Sequence, residues 1–213
     1  MYNLLLYCLA FCCIDSLFQY YKLEGRYYGV HALHNALITA STLSDVVTTY
    51  TNFNLLHTYP NNYTAVELCA ALHFYHIFYY CKRFKLDDWL HHILMIGIAL
   101  PIGGLLPSGT LLGYSLFFTT GLPGGIDYTL LFLARNGWIE STLEKKVNHA
   151  LQVWIRSPGC VSHAALVCAY LSMHPTTLVY KVGAFVTAAL NYWNGQYFMQ
   201  QVVYAAGKRE LFE

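Results

Sequence analysis

Seven apolar stretches, each near the length of a bilayer crossing, take up almost all of this chain. A spanning helix needs about 20 largely apolar residues. The stretches run approximately over 2–20, 27–50, 62–82, 88–105, 109–135, 144–173 and 177–206. Of the 213 residues, 56% are hydrophobic and 11% charged, against roughly 25% charged in a soluble domain. A core of this size cannot bury so much apolar surface without lipid as its solvent. The expected fold is all-α: a polytopic membrane protein of about seven transmembrane helices, forming a single transmembrane domain over 1–213. The net charge is +1 and there is no basic tract to follow a phosphate backbone, so nucleic acid is excluded as a partner. The stretch Met1–Ile14 lacks a basic lead-in and reads as a retained first helix rather than a cleaved signal.

The loops give an independent check on the helix count. Lys22 and Arg26 lie in the first loop, and the second, around 51–61, has no Lys or Arg. Lys82, Arg83 and Lys85 lie in the third, and the fourth, around 105–108, is uncharged. Arg135, Lys145 and Lys146 mark the fifth, the sixth around 174–176 has none, and the tail holds Lys208 and Arg209. Positive and neutral loops alternate throughout. The positive-inside rule then sets the N-terminus in the lumen and the C-terminus in the cytosol, with the endoplasmic reticulum as the expected membrane. Asn62-Tyr-Thr64 is a glycosylation sequon at a lumenal helix end. Two helices carry predicted interruptions, Gly121-Leu-Pro-Gly-Gly125 and Arg156-Ser-Pro-Gly159. The seven cysteines fall in apolar runs without a zinc spacing, and read as small buried hydrophobes.

Topology converts sequence position into depth, at about 1.5 Å per residue. His31, His34 and Asn35 lie one to two turns inside the cytosolic end of the second helix, and His73 and His76 lie at a similar depth in the third. His91 and His92 begin the fourth, and His149 begins the sixth. Asp127 lies roughly 12 Å inside the fifth. Seven histidines and one aspartate from five helices are thus predicted to converge on the cytosolic half. Ionisable groups at such depth face a cavity or one another. His31/His34 and His73/His76 each share a helix face at i,i+3. Asp87 and Asp88 stand four residues before His91 and His92, where each carboxylate can orient an imidazole or serve as a first-turn acid. Arg156, beside Pro158, needs a buried partner, and Asp127 is the candidate. His57, His163 and His174 read as structural, and the many tyrosines as interfacial and packing residues.

The stretch Leu86-Asp-Asp-Trp-Leu-His-His-Ile-Leu94 resembles the paired-histidine segment of TLC-domain membrane proteins, which include ceramide synthases and lipid-regulating relatives. The order is also similar: a Tyr-rich helix to Tyr80, a basic loop Lys82–Lys85, an acidic-aromatic step Asp87–Trp89, then His91-His92. Asp127, in Gly-Gly-Ile-Asp-Tyr128, matches an aspartate of the following helix in ceramide synthases. The TLC-like part spans about 25–205. The resemblance implies six helices forming a barrel around a lipid cavity, with one peripheral helix. A second resemblance is that of Leu72-His-Phe-Tyr-His76 to the histidine box of fatty-acid elongases.

These residues define the functional expectations. In histidine-dependent acyl transfer, His91 or His92 acts as general base, with Asp127 beside it and Asp87 and Asp88 as orienting groups. His31, His34, His73, His76 and Arg156 then line the substrate, and Lys82, Arg83 and Lys85 meet the phosphates of acyl-CoA. Acyl-CoA is a co-substrate in this scheme, and neither a cofactor nor a metal is assigned. The partner is a membrane lipid or fatty-acyl ligand, and a homodimer is left open. Two alternatives stand beside it: a non-catalytic lipid-binding, lipid-sensing or membrane-composition regulator, and an elongase-like or metal-dependent lipid enzyme, imidazole being a good iron or zinc ligand.

Overall fold

The computed structural model describes residues 2–208, so that Met1 and the tail residue Arg209 lie outside the described part. Every element among the described residues is helical. Seven long helices follow one another: α1 (Tyr2–Tyr20), α2 (Arg26–Thr51), α3 (Tyr63–Tyr80), α4 (Leu86–Leu105), α5 (Thr110–Arg135), α6 (141–173) and α7 (Leu178–Lys208). Short 3₁₀ turns fill two connections, Phe53–Thr58 and Cys81–Arg83.

Among the described residues, three segments are long and apolar enough to cross a membrane: Asn3–Tyr20, Leu86–Leu105 and Thr110–Arg135. The remaining helices are of comparable length but carry more polar residues, and α2 shows where these go. Its buried residues include His31, His34, Asn35, Thr42 and Thr49, while Leu33, Leu37, Leu43 and Val47 face outward. The polar face points into the bundle and the apolar face away from it, the reverse of a water-soluble helix.

Helix α2 is the central strut, packed on α1, α3 and α5, while α7 lies against α6. One apolar core joins α1, α2 and α3 through Phe11, Val30, Ile38, Leu68, Leu72 and Tyr75. A second joins Leu56, Leu111, Val167, Tyr170, Ala184 and Ala188. The α2–α5 approach is so close that Gly113 and Gly124 have no room for a side chain: a Cβ at 113 would overlap the Asp45 carboxylate, and one at 124 the Asn35 amide. Buried polar links add direction. Asp15 on α1 accepts from Arg26 Nη1 at 3.1 Å and from the Tyr80 hydroxyl at 3.2 Å, tying three helices together.

The predicted interruptions are not breaks. In α4, α5 and α6 one π-helical turn precedes a proline: Met95–Ala99 before Pro101, Phe117–Gly121 before Pro123, and Gln152–Arg156 before Pro158. In each, the residue just before the proline donates its N–H five residues back, Leu100 to Met95, Leu122 to Phe117 and Ser157 to Gln152. Proline cannot donate, and its ring collides with the preceding turn of a regular helix. A wider turn gives the ring room and keeps the neighbouring N–H bonded.

The sequon asparagine is also committed elsewhere. Asn62 caps α3 by accepting from Ala65 N at 3.1 Å, and its amide donates to Ser41 O and Asp45 Oδ2, each at 2.7 Å.

Candidate functional site

Helices α2, α3 and α4 bring six histidines together, five of them in one chain of ring contacts. His31 stacks on His76 with centroids 4.4 Å apart, His76 meets His92 at 5.6 Å, and His92 meets His73 at 5.2 Å. His73 lies against His91, their Nε2 atoms 3.3 Å apart. His34 sits one turn deeper, with the edge of Phe11 at 5.8 Å. His31, His34, His73, His76 and His92 are buried, and His91 is exposed.

Local helix geometry orients three of these rings identically. Nδ1–H of His31 donates to the Tyr27 carbonyl, that of His73 to the Cys69 carbonyl and that of His92 to the Asp88 carbonyl, each at 2.7 Å. A carbonyl only accepts, so each neutral ring carries its proton on Nδ1 and presents a bare Nε2 lone pair. The Nε2 atoms of His76 and His92 are buried without a hydrogen-bond partner. His34 Nδ1–H donates to Asn35 Oδ1 at 2.8 Å, and Thr120 Oγ1 donates to the same oxygen at 2.9 Å.

Carboxylates do not orient these imidazoles, contrary to the sequence expectation. The Asp88 carboxylate accepts from Lys85 N at 2.8 Å and so closes the start of α4, while its main-chain carbonyl holds His92. Asp87 is exposed. Spacing of i,i+4 places the backbone carbonyl, as well as the side chain, within reach of the ring. Asp127 is buried on α5, where it meets Glu144 of α6 rather than one of the six histidines. Its link to the cluster runs through the next residue, Tyr128, whose ring stacks on His31 at 4.3 Å.

The expected pair of Arg156 with Asp127 is likewise replaced. The Arg156 guanidinium donates to Asn194 Oδ1 at 2.9 Å and lies over the Phe198 ring, its carbon 4.3 Å from the centroid. Asp127 is near enough to act on it by charge but does not bond it. A side-chain amide and an aromatic face, both on the adjacent α7, stand where a carboxylate was expected. Lys82, Arg83 and Lys85 are exposed on the turn leading into α4, and His149 is half-buried on α6.

Several contributors escaped the sequence reading. Tyr27 lies 4.0 Å from His31 and 4.9 Å from His76 by ring centroids, so tyrosines from α2 and α5 enclose the stacked pair. The only prior signal was Tyr27 standing one turn before His31. Glu144 is among the most deeply buried side chains, its Oε2 2.7 Å from Lys145 Nζ. His163, read as structural, has a structural partner: Asn191 Nδ2 donates to its Nδ1 at 2.8 Å and to Ser115 Oγ at 2.8 Å.

What the cluster offers chemically is imidazoles held through Nδ1–H, so that a neutral ring at His31, His73 or His92 presents Nε2 as its basic atom. Among the described residues no three His, Cys, Asp or Glu side chains are gathered so as to hold a metal ion. Comparison of the chain with protein-family models, with curated proteins and with solved structures gives no match.

Proposed function

We propose that this chain is a seven-helix, TLC-like protein of the endoplasmic reticulum membrane, with a lumenal N-terminus, and that it transfers an acyl group from acyl-CoA to an amine or hydroxyl lipid. The observation that carries the reading is His92: buried, pinned through Nδ1–H, and presenting a lone pair on Nε2 that no protein group occupies. That lone pair is suited to take the proton of an acceptor as it attacks the thioester carbonyl. The resulting imidazolium returns a proton to the departing CoA thiolate. The outward apolar faces support lipid as the solvent, and exposed Lys82, Arg83 and Lys85 beside α4 suit the CoA phosphates. Asp127, set apart from the histidines behind Tyr128, does not partner that base.

Membranes bearing the protein, supplied with acyl-CoA and long-chain amines (sphingoid bases included) or alcohols, test this. Product is expected, with a loss on the order of 100-fold or more in His92→Ala, the contribution typical of a positioned base. Absence of product beside an active authentic acyltransferase would overturn it. A second reading, a non-catalytic lipid-binding or lipid-sensing protein, is favoured by the ring-on-ring packing of Tyr27, His31, His76 and Tyr128. It expects His92→Ala to keep both lipid binding and biological activity.

A further inference from the structure

His91 is the exposed member of the cluster, and His73 is the buried member it touches. Their Nε2 atoms stand 3.3 Å apart. The Nδ1–H of His73 is committed to the Cys69 carbonyl at 2.7 Å, so the neutral ring offers only a lone pair at Nε2. The contact therefore requires the proton on His91 Nε2, and leaves His91 Nδ1 as the atom free to take a second one. Buried His76 and His92 lie near His73 at centroid distances of 6.2 and 5.2 Å, but their Nε2 atoms bond no protein group. From α6, Arg156 acts on His91 by its charge.

We propose that His91 and His73 form a proton-exchange pair, in which exposed His91 passes protons between the surroundings and the buried ring of His73. The transfer balances without a further reactant. A proton binds His91 Nδ1, and the His91 Nε2 proton moves to the lone pair of His73 Nε2. His91 is left neutral with its proton on Nδ1, and His73 becomes the imidazolium. The reverse sequence carries a proton out. Because His73 Nδ1–H ends on a main-chain carbonyl, His73 gives up its proton only through Nε2, the atom that His91 faces.

This exchange rests on reading the cluster as the working site, and it deepens that reading. Acyl transfer to an alcohol is proton-neutral: the hydroxyl proton leaves on the CoA thiol. Transfer to an ammonium acceptor, giving an amide and the CoA thiol, releases one proton more. A cluster in which a buried ring exchanges protons with the surroundings suits an amine as the acceptor class.

The test needs no acyl substrate, so its outcome is separate from that of the transfer assay. Full-length protein labelled with [15N]histidine is placed in phosphatidylcholine vesicles, and solid-state NMR reads imidazole tautomers and proton exchange with water. The wild type is expected to show His91 protonated on Nε2 and His73 on Nδ1. In His91→Phe, exchange at His73 is expected to slow about tenfold, the factor that 1.4 kcal/mol gives, with His163 unchanged. Equal His73 exchange in the two proteins overturns the proposal, as does a wild-type His91 protonated on Nδ1. If His163 signals shift in His91→Phe, reporting a disturbed fold, His91→Gln is read against the same two outcomes.

Discussion

His92 sets its Nδ1–H on the main-chain carbonyl of Asp88, 2.7 Å away, while the Asp88 carboxylate turns back to accept from Lys85 N at 2.8 Å. The ring is thus oriented by an atom present whatever side chain stands at 88. Replacing Asp88 by Ala is expected to leave the His92 tautomer and any acyl transfer within about twofold of wild type. It removes a cap worth about 1 kcal/mol, seen as a lower thermal midpoint in detergent. A loss of activity as deep as that of His92→Ala, with the fold intact, would show that the carboxylate does orient the base.

Asn35 sits fully buried between His34 and Thr120, with Gly124 directly against its amide. Gly124→Ala is expected to displace that amide and destabilise the protein by about 1–3 kcal/mol, the range for overpacking. Gly97, whose added Cβ would meet nothing within 4 Å, is the control. Gly97→Ala is expected to be neutral or to stabilise by up to about 1 kcal/mol. Equal effects of the two substitutions on unfolding would mean that the α2–α5 approach is looser than described.

Asp15 is buried and serves both Arg26 and Tyr80, whereas Arg26 remains partly open. Asp15→Ala is expected to cost about 2 kcal/mol, below the figure for a wholly buried pair because Arg26 regains water. A double-mutant cycle with Arg26→Ala checks the link, and a coupling energy near zero would remove it.

Wild-type protein made in microsomes is expected to carry no glycan on Asn62, because its amide is held by Ser41 O and Asp45 Oδ2. Glycosidase treatment should leave its gel mobility unchanged. Asn62→Ala should lower stability by about 1 kcal/mol through loss of the α3 cap. A mobility shift of the wild type on glycosidase treatment would show the cap to be open.

The helix count was legible because apolar length and loop charge are separate signals, and they agreed on seven helices. The gathering of His31, His34, His73, His76, His91 and His92 was legible from their spacing along α2, α3 and α4, whereas Asp127, expected among them, meets Glu144 instead. What escaped is equally specific. Nineteen tyrosines gave Tyr27 and Tyr128 no contrast against their background. The i,i+4 spacing of Asp88 and His92 fits a side-chain contact and a main-chain contact equally well, and sequence does not separate the two. Arg156 was paired by sign of charge, whereas its surroundings are an amide and an aromatic face from a helix with no neighbouring acid.

The wide turns before Pro101, Pro123 and Pro158 each hold one residue more than a regular turn. One surplus residue advances the phase of everything after it by about 100°. In α5, Asp127 and Tyr128 follow such a turn, so the stack of Tyr128 on His31 depends on that offset. Removing a single residue from Phe117–Gly121 would swing both side chains toward other neighbours without altering any of the groups that now meet. These helices are therefore tuned in length as much as in composition, and a one-residue deletion is a graver change to the site than most substitutions within it.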